Sequence, residues 1–193
     1  ATGLDHIKEI VAAQQQHAKS GSVREKMSPG DILDKAVTMD LGVSTEHNLT
    51  IVRDYQETTP VALDKHKLLQ ILINLLSNAK KAVISSSNPL KQIVLTTKKI
   101  EGGTDGFIRF EVRDNGVGIR PEDLTKIFAH GFTTREEGHG FGLHSAANAA
   151  REMGGNLSVA SDGPNLGATF TLDLPLAGLS SVEQILENKK ARK

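Results

Sequence analysis

Polar residues recur along an otherwise apolar segment between residues 64 and 84. Spacings of three and four place them on one face of a predicted helix, and they are Lys67, Gln70, Asn74, Asn78 and Lys81. A solvated helix face normally uses Glu, Lys or Gln, because Asn is a poor helix former. Asn carbonyl oxygens can instead bind Mg²⁺, and a Lys ammonium can contact phosphate. The stripe predicts a metal and phosphate site, with a solvated face as the alternative.

A second motif joins a strand to a glycine-rich turn. The strand alternates apolar residues on one face, namely Ile108, Phe110 and Val112, and the next position in this phase is Asp114. A carboxylate on the apolar side needs a hydrogen-bond donor, because its desolvation is otherwise uncompensated. The amino group of adenine is such a donor, and Gly116 and Gly118 would let a ligand lie close to the backbone. The motif therefore indicates a site for a nucleotide base.

The dipeptide Asn115-Gly116 allows another interpretation, since it is a strong signal for a hairpin turn. A hairpin requires a returning strand directly after the turn. The sequence that begins at Pro121 instead predicts the start of a helix. We therefore favour the nucleotide interpretation over the hairpin.

A third motif places alternate glycines directly before a predicted helix, at Gly138, Gly140 and Gly142. Such glycines let backbone N–H groups and the helix dipole face an anion, and a triphosphate fits. The motif is not a dinucleotide fingerprint, because Leu143 stands where the third Gly should fall. The sequence also lacks a Walker-type Gly-x4-Gly-Lys. A mobile lid is the alternative role for these glycines.

Helices and strands must position these motifs. Hydrophobic periodicity and turn signals predict helices at 3–18, 29–41, 64–84 and 143–153, a short helix from Pro121, and strands at 49–55, 92–100, 107–113, 156–161 and 168–174. The first helix has one apolar stripe and needs a partner helix to bury it. The predicted fold class is α+β, with one sheet covered by helices and a separate helical piece in front.

Composition excludes several classes of protein. The chain has 193 residues, 38% hydrophobic and 24% charged, as in a soluble globular protein. Lys plus Arg and Asp plus Glu number 23 each, and this balance argues against binding to nucleic acid or to an anionic membrane. Cysteine is absent, which excludes a disulfide scaffold. No apolar run could span a membrane, so we expect a cytoplasmic piece of a longer protein whose membrane anchor, if it has one, lies elsewhere.

Five boxes of the sequence, in order, resemble those of the histidine-kinase branch of the ATPase superfamily that includes gyrase, Hsp90 and MutL. They are Asn74-x3-Asn78-Ala79-x-Lys81, Asp114-Asn115-Gly116-x-Gly118-Ile119, Ile127-Phe128-x3-Phe132-Thr133-Thr134, Gly138-x-Gly140-x-Gly142-Leu143 and Gly167-Ala168-Thr169-Phe170. The match spans about residues 64 to 175. It implies a Bergerat-type two-layer α/β sandwich, a mixed sheet layered with three helices, which holds ATP between two helices under a lid.

The resemblance also implies roles at the phosphate side. It makes Asn78 the Mg²⁺ ligand, Lys81 a phosphate contact and Asn74 a lining residue of the phosphate site. Residues 128–142 would form the lid. The nucleotide-binding residues of the lid and of the following helix start are Phe132, Thr133, Gly138, Gly140, Phe141, Gly142 and Leu143.

At the other side, the resemblance makes Asp114 the acid that reads adenine, with the base framed by Gly116, Gly118 and Ile119. The last box departs from the commoner family pattern. Ala168 follows its glycine where Thr or Ser is often found, and this leaves Thr169 as the adenine-side residue of that box.

The first box separates a kinase from a hydrolase. The gyrase, Hsp90 and MutL type resembles Glu-x3-Asn there, with Glu as the base for a hydrolytic water, whereas this chain has Asn74. An amide cannot serve as a general base. Phosphoryl transfer depends mostly on positioning and charge neutralisation, so an outside imidazole could attack. We predict a protein histidine kinase, with a switch ATPase of the Hsp90, MutL or gyrase type, or a serine-directed kinase of the same fold, as alternatives.

We expect the acceptor histidine to lie outside this chain. It should be followed by an acid and then a Pro, and none of the seven histidines fits. We expect 1–22 to be the second helix of the dimerisation and phosphoacceptor hairpin, 23–176 the ATP-binding catalytic domain and 177–193 a tail or linker. The predicted partners are that hairpin, a second copy in a full-length homodimer, and the receiver domain of a response regulator. The chain alone should not autophosphorylate.

Overall fold

A computed structural model describes residues 24–40, 49–57, 59–102, 106–133 and 140–176. Its strands are β1 (Arg24–Met27), β2 (Leu49–Tyr55), β3 (Val61–Asp64), β4 (Lys91–Ile100), β5 (Phe107–Asp114), β6 (Asn156–Ala160) and β7 (Ala168–Pro175). Its helices are α1 (Pro29–Asp40), α2 (Lys65–Ile84) and α3 (Gly142–Glu152), with a 3₁₀ turn at Pro121–Asp123. The predicted α+β class is confirmed.

Five strands form one mixed sheet in the order β2-β4-β5-β7-β6. β2 and β4 are parallel, and the other neighbouring pairs are antiparallel. Burial alternates along the central strands, so that β5 buries Ile108, Phe110 and Val112 but not the residues between them. α1 contacts β4, α2 contacts β4 and β5, and α3 contacts β6 and β7. The helices thus cover the apolar face of the sheet, which is the predicted two-layer arrangement.

The core lies between the sheet and the helices. α2 provides the longest apolar face, formed by Leu68, Leu69, Ile71, Leu72, Leu75, Leu76, Ala79 and Val83. Full burial of one such large apolar side chain contributes about 1.5–3 kcal/mol. The opposite face of the sheet carries ion pairs instead, such as Arg109 with Asp173, whose closest atoms lie 2.6 Å apart. The described helices therefore pack on the apolar face of the sheet.

A second sheet pairs β1 with β3 in antiparallel register, from Arg24 opposite Asp64 to Met27 opposite Val61. The sequence predicts no strand in either segment, and this is wrong. Each strand has four residues, which is too short for alternation to be distinguished from chance. β3 leads directly into α2, so this small sheet fixes where that helix begins.

Several predictions concern residues outside the described ranges. They are the helix at 3–18 with its segment 1–22, Gly138 and the rest of 134–139, and the tail at 177–193. Every other predicted helix or strand lies within one residue of an observed one at both ends, the 3₁₀ turn aside. Across the described ranges, no helix has the length and hydrophobicity needed to cross a lipid bilayer.

Candidate functional site

Helix α2 carries the polar stripe along the face that borders α3. Asp64 caps α2 and accepts a hydrogen bond from Lys67 N at 3.1 Å. Further along, Lys67 Nζ lies 2.7 Å from Glu152 at the end of α3. Asn74 Oδ1 faces Gly142 at the beginning of α3, where a Cβ would come within 3.1 Å of it. The two helices are therefore antiparallel, and the stripe leads to the N-terminus of α3.

This N-terminus is suited to an anion. The first turn of α3 contains no acidic residue, and Phe141 at the N-cap makes no side-chain hydrogen bond to it. Backbone N–H groups and the positive end of the helix dipole point toward the region in front of Gly142. Asn78 lies one turn beyond Asn74 on α2 and is half-buried. A phosphate chain here would meet backbone N–H groups and two amide side chains.

Asp114 ends β5 on the core side of the sheet and is only 4% exposed. Its Oδ1 accepts a hydrogen bond from Gly116 N at 2.8 Å, so the backbone supplies part of the compensation that a buried carboxylate needs. Gly116 lies against the backbone of Ala82 on α2, and Val117 N donates to Ala82 O at 3.2 Å. The chain then enters the 3₁₀ turn rather than a returning strand, so the hairpin interpretation is wrong.

The turn between β6 and β7 closes over the loop that follows β5. Asn165 N donates to Val117 O at 2.7 Å, and Gly167 N donates to Gly116 O at 3.2 Å. The approach is so close that a Cβ at Gly167 would collide with Asp114 O. Two glycine boxes that are distant in sequence therefore form one double-loop structure.

Ser161 links the same two loops, although no sequence motif predicted a role for it. Its hydroxyl donates to Gly167 O at 2.6 Å and accepts from Ile119 N at 3.0 Å. Nearby, Gly118 has a φ of +68°, and a Cβ there would collide with Gly163 O. Ser161 is the last residue of the strand predicted at 156–161 and lies outside the five boxes, so no signal in the sequence distinguishes it.

Asn115 has a second role that the sequence did not reveal. Its Oδ1 accepts from Gln92 N at 2.9 Å, and its Nδ2 donates to Leu90 O at 2.6 Å. These bonds tie the loop after β5 to the start of β4. The Asn115 amide therefore stabilises the backbone around the site.

Residues 128–133, which follow the 3₁₀ turn, contact the N-terminal end of α3. His144 Nδ1 lies 3.0 Å from Phe128 O, and the rings of His130 and Phe141 have centroids 5.0 Å apart. The Phe141 side chain is 49% exposed. Side-chain contacts thus hold this segment near the start of α3.

The other predicted residues of this region divide between the core and the surface. Gly140 lies against the backbone of Gly131. Phe132 and Leu143 are half-buried and pack against the core, whereas Thr133 is exposed. The two described sides of the predicted lid therefore meet at its base.

A model of the histidine kinase-, DNA gyrase B- and HSP90-like ATPase family matches residues 63–178, which is more than half of the chain. The chain belongs to this ATPase family. The matched range includes every element from α2 to β7, and with them the stripe, the double loop and the start of α3. The family that the five boxes predicted is confirmed.

Relatives of this ATPase domain are sensor kinases. The two-component sensor PprA of Pseudomonas aeruginosa is 38% identical over 58% of this chain and 12% of PprA. The sensor histidine kinase ZraS of Escherichia coli is 33% identical over 79% of this chain and 33% of ZraS. The histidine kinase/phosphatase NtrB of Rhodobacter capsulatus is 31% identical over 90% of this chain and 51% of NtrB. This chain thus covers between 12% and 51% of the length of these relatives.

Solved structures confirm the fold of the ATPase domain. The mycobacterial sensor histidine kinase MprB superposes with a TM-score of 0.65 at 23% identity, covering 79% of this chain and 97% of MprB. Full-length ShkA in complex with AMPPNP superposes with a TM-score of 0.68 at 24% identity, covering 89% of this chain and 36% of ShkA. At these identities the likeness establishes the fold alone.

Two predicted site residues of the ATPase domain lie apart from the others. Thr169 is on the sheet face opposite Asp114, because its neighbour Ala168 pairs with Asp114 across β5 and β7. Lys81 stays on the stripe but is exposed on the last turn of α2, about 10 Å along the helix axis from Asn74. The double loop and the start of α3 are assembled without either residue.

The last turn of α1 adds an acid beside α2. Within the described residues, Asp40 Oδ2 is buried without a hydrogen bond. Burial raises the pKa of the Asp40 carboxyl, while the positive charges of Lys80 and Lys81 act in the opposite direction. Lys81 therefore has an acidic neighbour on the side of α1.

A cation at this site would depend on amide oxygens. The part of the chain that the structure describes contains no group of three or more His, Asp or Glu side chains that could hold a metal. Mg²⁺ commonly takes one or two protein oxygens and completes its shell with phosphate oxygens and water. The Asn78 amide, one turn beyond Asn74 on the same stripe, fits that requirement.

Proposed function

We propose that this chain is the ATP-binding catalytic domain of a two-component sensor histidine kinase. It would transfer the γ-phosphate of ATP to a histidine outside the domain, from which a response-regulator aspartate receives it. The observation that carries the proposal is Asn74, whose amide lies beside Gly142 at the start of α3. An amide there cannot deprotonate water, so the site favours an external nucleophile. The family and the names of the relatives support the same activity.

In this proposal ATP lies along α2, with its base at the double loop and its phosphates at the start of α3. Asp114 would accept a hydrogen bond from the adenine amino group, because its carboxylate is buried at the end of β5, beside the glycine loop that the base would lie against. Backbone N–H groups of α3 would bind the phosphates. Asn78 would hold Mg²⁺, which supplies charge neutralisation when bound.

The domain boundaries and the partners belong to the same proposal. Residues 23–176 would form the catalytic domain, 1–22 part of the hairpin that carries the acceptor histidine, and 177–193 a tail. The full-length protein would dimerise through the hairpin and pass the phosphoryl group to a receiver domain. A cytoplasmic location follows from this activity, because the domain must meet both ATP and the response regulator.

The direct test is transfer of label from Mg-ATP labelled at the γ-phosphate. The reaction is run with the chain alone and with an added helical hairpin that carries an acceptor histidine. We expect acid-labile, base-stable label on the hairpin only. Asp114→Asn should lower the label about 10- to 100-fold when ATP is kept below its dissociation constant. Gln70→Ala should retain the label, because Gln70 lies on the same stripe but is exposed one turn before Asn74.

Two other outcomes would overturn the proposal. Steady release of inorganic phosphate without labelled protein would make a switch ATPase the better interpretation. Acid-stable label on a protein substrate would indicate a serine-directed kinase of the same fold.

A further inference from the structure

Ser161 occupies the junction of the two glycine loops. Its hydroxyl donates to Gly167 O at 2.6 Å, a much closer acceptor than Gly163 O at 3.5 Å, and accepts from Ile119 N at 3.0 Å and from Gly163 N at 3.4 Å. A hydroxyl has one donor and two acceptor sites, so these three contacts use all of them. One side chain thus joins the loop after β5 to both sides of the turn between β6 and β7.

The hydrogen bond to Ile119 N lies next to a glycine whose backbone conformation is restricted by a close contact. Gly118 precedes Ile119, adopts a φ of +68° and lies against Gly163 O. The side chain of Ile119 is half-buried and packs against the core. Ser161 therefore fixes the backbone direction between a glycine that a ligand could approach and an apolar side chain that could line a base.

We propose that Ser161 is a positioning residue for the nucleotide base. Its hydroxyl holds the Gly118–Ile119 backbone at the distance from Asp114 that a purine requires, without contacting the base itself. This inference rests on the proposed function, which puts adenine beside Asp114. It adds a residue outside the five boxes to the determinants of nucleotide affinity.

The test compares Ser161→Thr with Ser161→Val. Thr and Val have nearly the same shape, and both suit extended backbone, so the pair differs mainly in the hydroxyl. Ser158→Ala is the control, because Ser158 is an exposed serine of β6 whose hydroxyl makes one 3.5 Å contact, to Thr171 O. The dissociation constants of Mg-ATP and Mg-ADP are measured by calorimetry for each variant and for the unaltered chain.

We expect Ser161→Val to raise the dissociation constants of Mg-ATP and Mg-ADP by the same factor. This factor should be about three- to tenfold, which corresponds to the net contribution of one hydrogen bond. Ser161→Thr should restore both, and Ser158→Ala should change neither. Equal factors matter because a general loosening of the domain would also alter the phosphate side and change the ratio of the two constants. Amide exchange at Ile119 should accelerate in Ser161→Val and not in Ser161→Thr.

Equal affinities of the Val and Thr variants would overturn the inference while leaving the proposed function intact. A shift in the ATP to ADP ratio would also overturn it, because the effect would then lie at the phosphates. If the unaltered chain fails to bind Mg-ATP, the proposed function fails and the inference fails with it. If Ser161→Val does not fold, Ser161→Ala replaces it. The amide exchange rate of Ile119 and the dissociation constants of Mg-ATP and Mg-ADP are then compared between Ser161→Ala and Ser161→Thr, with the same expected and contradicting outcomes.

Discussion

The two ends of the candidate site are held together in different ways. The double-loop end, residues 114–119 and 161–167, is joined by backbone hydrogen bonds such as Asn165 N to Val117 O at 2.7 Å. The α3 end, residues 128–133 and 140–144, is held mainly by side-chain contacts, including the His130 and Phe141 rings at 5.0 Å. Close backbone approaches leave no room for a Cβ at Gly116 and Gly167 of the first end or at Gly140 of the second, but Phe141 at the second end is 49% exposed.

The difference separates the two tasks of the site. Backbone hydrogen bonds between the two loops fix one geometry, which suits recognition of a rigid ring with little ordering on binding. Exposed side-chain contacts break at low cost, which suits a phosphate chain that shortens when one group leaves. We infer that the base side is formed before the ligand arrives and that the phosphate side adjusts to it.

The largest expected effect comes from placing a Cβ in the double loop. Gly118→Ala should lower the free energy of unfolding by about 3 kcal/mol or more, because the methyl group would collide with Gly163 O. In a domain of this size the melting temperature should fall by about 10 °C. Gly131→Ala is a matched control at the α3 end, since Gly131 has a φ of +74° but no atom within 4 Å of its added Cβ.

Both variants suffer the same backbone penalty, so the difference between them measures the collision alone. Thermal unfolding without nucleotide gives both values. An equal loss of unfolding free energy in the two variants would show that the double loop accommodates a Cβ as easily as the α3 end does. The inference that the double loop is the more rigid end would then be wrong.

A change of charge at Asp114 should affect binding and spare the fold. In Asp114→Asn the Oδ1 atom can still accept the hydrogen bond from Gly116 N, so the melting temperature without nucleotide should change little. Affinity for Mg-ATP should fall by about 10- to 100-fold, because a hydrogen bond to a charged group is lost. Asp114→Ala removes the Gly116 bond as well and should destabilise the nucleotide-free domain. A large loss of stability in Asp114→Asn would mean that the carboxylate serves the fold.

The smallest effect should appear at the phosphate side. Asn78→Ala should remove most of the Mg²⁺ dependence of ATP affinity and weaken Mg-ATP about tenfold, because the amide oxygen is the protein ligand in the proposed site. Titrations with and without metal measure this directly. Gln70→Ala, two turns earlier on the same stripe, should keep the full metal dependence. Unchanged metal dependence in Asn78→Ala would place the cation elsewhere.

Long elements with clear signals were predictable from the sequence. The Asp64 cap and the polar stripe of α2 are local features, so β2, α2 and the central strands appear where periodicity places them. The glycine boxes were informative because a close approach of two backbone segments requires glycine. A Cβ at position 116 or 167 would collide with backbone atoms. The site was therefore predictable to the extent that its constraints remove side chains.

The rest depends on pairing between distant segments. β1 and β3 become strands only because they meet each other, and four residues carry too little pattern to show it. Thr169 faces away from Asp114 because the register of β7 against β5 is fixed by the whole sheet. Ser161 matters because folding brings the backbone N–H of Ile119, 42 positions earlier in the chain, to its hydroxyl. None of these relationships exists within a window of neighbouring residues.

Helix α2 touches both ends of the site, with Asn74 beside Gly142 and Ala82 beside Gly116. Ala82 follows Asn74 by eight positions, so the rise of the helix sets their separation at about 12 Å. One residue added between them would turn one contact by about 100° relative to the other. The two ends consequently cannot be re-spaced one at a time. The number of α2 residues between the two contacts therefore sets the length of a ligand that can reach both ends of the site.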